Sequence, residues 1–204
     1  MSNKKKFFVS LCVFQEIYVN LQIIFYPMMT HKLSTQEMNR LSVEAFRASE
    51  KLPLTVVLDN VRSLNNIGSV FRTSDAFRVE HIALCGITAT PPHREIHKTA
   101  LGAEESVAWS YHEDTAECVK ALKAKGYRIY AVELAHNSLK LDKDPVDTEH
   151  PIALVFGNEI EGVQEEVMEL CDSFLEIPQS GTKHSLNVSC AAAIVIWEMF
   201  KRLK

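Results

Sequence analysis

"LTVVLDNVRSLNNIGSVFRTSDAFRVEHIALCGI", residues 54–87, carries the pattern that decides the fold. Its first eight residues, 54–61, form a β-branched apolar run of the kind that makes a strand buried on both faces. Over 68–79 the apolar side chains Val70, Phe71, Ala76 and Phe77 suit a helix, and 80–87 returns to strand character. Strand, helix, strand in this order predicts a parallel pair, because parallel neighbours need a crossover connection.

The same alternation extends in both directions. Upstream, "STQEMNRLSVEAFRASEK" opens with Ser34 and has Glu37 three residues on, the spacing of a capping box, which predicts a helix ended by Pro53. Downstream come a loop with Pro91 and Pro92, a helix over 115–126 stopped by Gly126, and strands over 127–134 and 151–157. Asn158 and Glu161 again stand in capping-box spacing, predicting a further helix; a strand over 173–178 and a helix from Leu186 to Arg202 follow. Continuous apolar strands alternating with helices predict an α/β fold, a mostly parallel sheet with helices on both faces. The expected division is an N-terminal extension and helix over 1–50, then one domain over 51–204.

Composition narrows the function classes. A formal net charge of −4 means that any contact with nucleic acid must come from a local basic face. Cys12, Cys85, Cys118, Cys171 and Cys190 lie far apart with no C-x-x-C pair. That spacing points to reduced thiols in a cytoplasmic protein and to neither a disulfide framework nor a zinc site. His93 and His97 have i, i+4 spacing, but Pro92 and the surrounding loop predict no stable helix there, so no metal is expected. The N-terminus begins like a signal peptide, with a basic start and an apolar run from Phe7 to Phe14. Gln15 and Glu16 break that run, and a membrane span is not expected. An extra helix or strand, or a start codon upstream of Met28 or Met29, fits residues 1–27 better.

Three polar clusters fall at the carboxyl ends of predicted strands, where open α/β sheets place ligands. The first contains Asn66, Gly68 and Arg72; the second, "VFGNEIEGV" over 155–163, contains Gly157 and Glu159; the third, "TKHSLNVSC" over 182–190, contains Ser185 and Asn187. Taken singly, each also fits a plain structural role: a turn with a surface arginine, a tight turn before a capped helix, and a helix cap at Ser185. Capping at Ser185 leaves Asn187 unexplained. Glu159 opposes a nucleotide phosphate, and no G-x-S-x-G elbow is present.

In order and internal spacing, "NNIGSVFRTSDAF", "ALVFGNEIEGV" and "IPQSGTKHSLNVSCAAAIVIWE" resemble the three motifs of SpoU-type RNA 2′-O-ribose methyltransferases, within the SPOUT superfamily. One departure is Ile160, where the second motif often has glycine. The resemblance implies an α/β sheet whose C-terminal segment is threaded into a trefoil knot. It further implies an S-adenosyl-L-methionine pocket built from the knot's loops, and a homodimer that completes the active site. The implied substrate is tRNA or rRNA. On these positions the cofactor contacts would be Leu134, Gly157, Ile177 and Leu186; the catalytic region would hold Asn66, Arg72, Glu159, Ser185 and Asn187. The family proposal makes the arginine a base. A guanidinium is charged at any working pH, so the easier role for Arg72 is to pair with an RNA phosphate and stabilise negative charge on the 2′-oxygen. Arg62, Arg78, His93, Arg94, His97, Lys98, Lys183 and His184 are the expected basic rim. A non-catalytic RNA-binding knot protein and a base-directed enzyme of the same superfamily are the alternatives.

Overall fold

The computed structural model of the chain describes residues 32–34 and 37–204, so the expectation for residues 1–27 lies outside the described residues. A compact unit spans Leu41–Lys204. Its helices and strands are, in order, α1 (Val43–Ala48), β1 (Leu52–Asp59), α2 (Leu64–Ala76), β2 (Val79–Cys85), α3 (Arg94–Ala100), α4 (Ala103–Ser106) and β3 (Ala108–His112). There follow α5 (Thr115–Ala124), β4 (Arg128–Val132), β5 (Leu139–Lys140), β6 (Ile152–Phe156), α6 (Glu165–Leu170), β7 (Ser173–Glu176) and α7 (Val188–Leu203).

The strands form one seven-stranded sheet in the order β3-β2-β1-β6-β4-β7-β5. Each adjacent pair is parallel. Alternating strand residues face opposite cores. Leu54, Val56 and Leu58 of β1 and Ile152, Leu154 and Phe156 of β6 pack with α2, α3 and α7, whereas Val57, Ala153 and Val155 pack with α5 and α6. Burial on both faces is why these strands read as unbroken apolar runs.

A buried carboxylate ties the end of β1 to the starts of α5 and α6. Asp59, fully buried at the end of β1, accepts hydrogen bonds from Thr115 Oγ1 at 2.7 Å, Gln164 Nε2 at 2.7 Å, Gln164 N at 2.9 Å and Asn60 Nδ2 at 2.9 Å. Four donors satisfy the lone pairs that burial would otherwise strand. On the opposite face α2 and α3 touch at Gly68, where an added Cβ would sit 2.3 Å from the Ile96 carbonyl oxygen.

Several expected boundaries differ. The capping box at Ser34 does form, with Ser34 N donating to Glu37 Oε2 at 2.8 Å, but a turn follows and the helix starts at Val43, capped by Ser42. Arg94–Ala100 is a helix, where a loop was expected, because Pro92 precedes the N-cap His93 and its missing N–H costs the helix nothing. The edge strand β3 and the two-residue β5 are additions to the sequence reading. No described helix is long and apolar enough to cross a membrane.

Candidate active site

A cleft of about 570 Å³ opens at the carboxyl ends of β4, β6 and β7. Leu134, Gly157, Ile177 and Leu186, the four expected cofactor contacts, all line it. Leu134 is 51% exposed and Leu186 39%. Two large apolar side chains facing a cleft without apolar cover suit the flat face of a ring. Gly157 is required by close approach: an added Cβ would meet the Gly162 carbonyl carbon at 2.1 Å and Val163 N at 2.2 Å.

The loop after β6 owes its shape to Asn158 and Gly162. Their main chains exchange hydrogen bonds of 2.9 and 3.0 Å, and Asn158 Oδ1 accepts from the Ile160 and Glu161 N–H groups at 2.9 and 3.2 Å. Gly162 reverses the chain with φ +72°. This is a correction to the sequence reading: Asn158 caps a tight loop, and α6 begins only at Glu165. Ile160 sits at the loop tip, 77% exposed, so its side chain leaves the turn undisturbed.

That loop delivers Glu159 to the start of α2 instead of to a helix of its own. The Glu159 carboxylate accepts from Arg62 N and Ser63 N, both at 3.0 Å, and from Asn66 Nδ2 at 2.9 Å. Burial raises the Glu159 carboxyl pKa, but the hydrogen bonds from the Arg62 N–H, the Asn66 amide and the Ser63 N–H outweigh it. The net position is below the ordinary carboxylate value. A negative charge at a helix N-terminus also meets the positive end of the helix dipole.

Asn66, 8% exposed, passes the connection on. Its Oδ1 accepts from Asn187 Nδ2 at 3.1 Å, and Asn187 Oδ1 accepts from Ser189 N, Ser189 Oγ and Cys190 N at 2.9, 2.7 and 3.4 Å. A carboxylate can only accept, so each amide orientation follows from the one before it. Asn187, not Ser185, is the N-cap of α7. Asparagine is among the best capping residues, and its cap bonds satisfy N–H groups that would otherwise be orphaned. Ser185 lines the cleft, is exposed and makes no hydrogen bond among the described residues.

Arg72 stands apart. It follows Asn66 by six residues along α2, about 9 Å along the axis and about 120° around it. It is exposed, does not line the cleft, and has no ion pair among the described residues. Two cleft carboxylates escaped the sequence reading. Glu133 accepts from Leu134 N at 3.1 Å and Val163 N at 3.4 Å, holding the loop against β4; Glu176 accepts from Ser138 Oγ at 2.7 Å. A charged residue closing a buried strand was the available signal for both.

A sequence model of the SpoU rRNA Methylase family matches residues 53–197. The tRNA (guanosine(18)-2′-O)-methyltransferase of Thermus thermophilus is 34% identical over 162 residues, covering 79% of this chain and 81% of the relative. Among solved structures, the TrmH/SpoU tRNA modifying enzyme of A. aeolicus superposes with a TM-score of 0.69 at 27% identity, over 78% of this chain and 81% of that one. The AdoMet-bound rRNA methyltransferase of Sinorhizobium meliloti gives 0.70 at 28% identity over 78% of this chain, which spans only 60% of that protein. The family match runs from β1 into α7 and takes in all three polar clusters, so this chain belongs to the SpoU rRNA methylase family.

Proposed function

We propose that this protein is an S-adenosyl-L-methionine-dependent methyltransferase acting on a ribose 2′-hydroxyl of tRNA or rRNA. The observation that carries this reading is the chain of hydrogen bonds Glu159–Asn66–Asn187, which links the three clusters beside a cleft lined by all four expected cofactor contacts. Family membership and the activities named for its relatives support the same reading. Threading of the C-terminal segment into a trefoil knot, and work in the cytoplasm, belong to this proposal. Among the described residues the cysteines Cys85, Cys118, Cys171 and Cys190 are free thiols, which fits a reducing compartment.

The cleft fits the cofactor. Leu134, Ile177 and Leu186 offer apolar walls for adenine, and the main chain at Gly157 lines the same cleft. The carboxylates of Glu133 and Glu176 suit a ligand that carries positive charge. When bound, the cofactor supplies an electrophilic methyl group on its sulfonium. The protein's own work is to hold the 2′-hydroxyl in line with that group and to stabilise charge growing on its oxygen. Ser185, with its hydroxyl free at the cleft, orients the ribose. Asn66 and Asn187 fix the substrate side of the site, and Glu159 positions Asn66.

Arg72 serves the cleft of a second copy, where its guanidinium pairs with the RNA phosphate and stabilises the developing oxyanion. The homodimer this requires uses the exposed face of α7. Ile194 is 41% exposed and Trp197 48%, and Trp197 packs with Phe77 and Phe200 at centroid distances of 5.4 and 5.8 Å. Transfer of labelled methyl from S-adenosylmethionine to bulk RNA tests the activity. Cofactor binding with no label in RNA under any condition would support the non-catalytic alternative instead.

A further inference from the structure

The charge on the cofactor cleft is one-sided. Among the described residues that line it, Glu133, Glu159 and Glu176 are carboxylates, His184 is an imidazole, and none is lysine or arginine. The carboxylates are not equivalent. Glu159 takes donors from Arg62 N, Ser63 N and Asn66 Nδ2 at the N-terminus of α2, where the helix dipole also offsets its charge. Glu133 and Glu176 have no such setting.

These two stand side by side at the ends of neighbouring strands. Val132 of β4 pairs with Leu175 of β7 in parallel register, so Glu133 and Glu176 are the next residue on each strand. Glu133 N donates to Leu175 O at 3.2 Å, which keeps the strand ends together. The donors to their carboxylates are neutral: Leu134 N and Val163 N for Glu133, Ser138 Oγ for Glu176. Neither has an ion pair among the described residues, and both are half-buried. Like charges on neighbouring strand positions repel, and partial burial limits screening by salt. Two adjacent carboxylates without a counter-ion give the cleft a fixed negative potential, which favours a positively charged ligand.

That potential acts on a cofactor whose charge changes. Methyl transfer breaks the carbon–sulfur bond, leaves its electron pair on sulfur and forms a carbon–oxygen bond, while the 2′-hydroxyl proton passes to water. The sulfonium becomes a neutral thioether. At the amino-acid end the ammonium and the carboxylate cancel in both forms, so the ligand has lost its net positive charge after transfer.

We infer that Glu133 and Glu176 make the cleft select the cationic, methyl-bearing cofactor over its neutral product. This selection rests on the methyltransferase reading and deepens it. The attraction that draws in S-adenosylmethionine is lost with its methyl group, so S-adenosylhomocysteine leaves the cleft more readily.

Calorimetry on the full chain compares S-adenosylmethionine, S-adenosylhomocysteine and sinefungin, in which a carbon bearing an ammonium group replaces the sulfonium. At low salt both cationic ligands are expected to bind about tenfold tighter than S-adenosylhomocysteine, and added salt narrows that margin. Glu133→Gln and Glu176→Gln each reduce the margin to about threefold, with melting curves establishing that the variants fold. Should either variant fail to fold, the wild-type comparison still judges the selection. A purely structural role weakens all three ligands alike and leaves the margin intact, which would overturn the assignment of these residues. Equal wild-type affinity for the three ligands would overturn the selection. So would a preference for S-adenosylmethionine that sinefungin does not share, because it places the discrimination on the methyl group. Binding of none of the three would remove the cofactor reading and the selection with it. Methyl transfer to RNA is measured separately, so its absence with the charge preference intact counts against the RNA reading alone.

Discussion

Asn187 donates its side-chain amide to Asn66 across 3.1 Å, so the residue that caps α7 also holds a side chain of α2. One substitution therefore removes two functions. Asn187→Ala loses a helix cap worth about 1 kcal/mol, and it frees the Asn66 amide from its fixed orientation. Methyl transfer is expected to fall more than about tenfold, the scale of one mispositioned group. Because Asn66→Ala breaks the same bond, the double variant should fall short of additivity by about 0.5 kcal/mol or more. A double-mutant cycle on kcat/KM reads this directly, and full additivity would separate the two residues.

Glu159 is expected to behave as a positioning residue. In Glu159→Gln an amide N–H group must face one of the donors Arg62 N, Ser63 N or Asn66 Nδ2. Because the carboxylate is solvent-exposed, water offsets part of the unmet bonds, and a loss of about 1 kcal/mol or less in stability is expected. Its folded pKa is depressed, so the wild type carries this contribution above the unfolded carboxylate range and loses it as pH falls through the folded value. Denaturant titrations from neutral to acidic pH should show the wild type converging on the variant at the acid end; a constant gap would argue against the carboxylate.

Arg72→Ala should abolish methyl transfer and leave cofactor affinity nearly unchanged. Sharing between subunits makes a stricter demand. Mixing Arg72→Ala with Asn187→Ala chains should restore up to about a quarter of the wild-type activity, since half of the dimers are mixed and each regains one intact site. No recovery on mixing would place Arg72 in its own chain's site.

The outer edge of the sheet titrates for another reason. His81 Nε2 lies 2.8 Å from Ser110 Oγ, which lies 2.9 Å from His112 Nε2. Burial first, then the neighbouring His112, lowers the His81 pKa, with Lys125 acting in the same sense and Glu80 against it. A histidine depressed in the folded state costs stability as pH falls from about 6.5 toward the folded value. His81→Gln should flatten that slope in chemical denaturation between pH 7.5 and 5.5, values chosen to bracket about 6.5.

How far the sequence was readable depended on whether local chemistry decided the outcome. Runs within 54–61 and 151–157 were legible because burial on both faces leaves few polar side chains in them, Thr55 and Asp59 being buried exceptions. The strand β3 was not, since an edge strand with exposed Ala108 and Tyr111 shows neither an apolar run nor clean alternation. Ser34 and Asn158 both make cap-like bonds, yet neither starts a helix; at Asn158 the positive φ of Gly162 turns the chain back first. Ser185 and Asn187 are both good caps by type, and only the path of the preceding loop selects Asn187. Glu133 showed only as a charge closing a buried strand, because its partner Val163 reaches it only after the loop folds back over β4.

In the proposed reaction the polar chain Glu159–Asn66–Asn187 serves a ribose hydroxyl. The most direct measurement is nucleoside mass spectrometry of RNA methylated by the purified protein with isotopically labelled S-adenosylmethionine. Labelled 2′-O-methylnucleosides are expected, reduced more than about tenfold when Asn187→Ala replaces the wild type. Label found only on bases, or equal 2′-O-methyl label from the variant, would contradict that reaction.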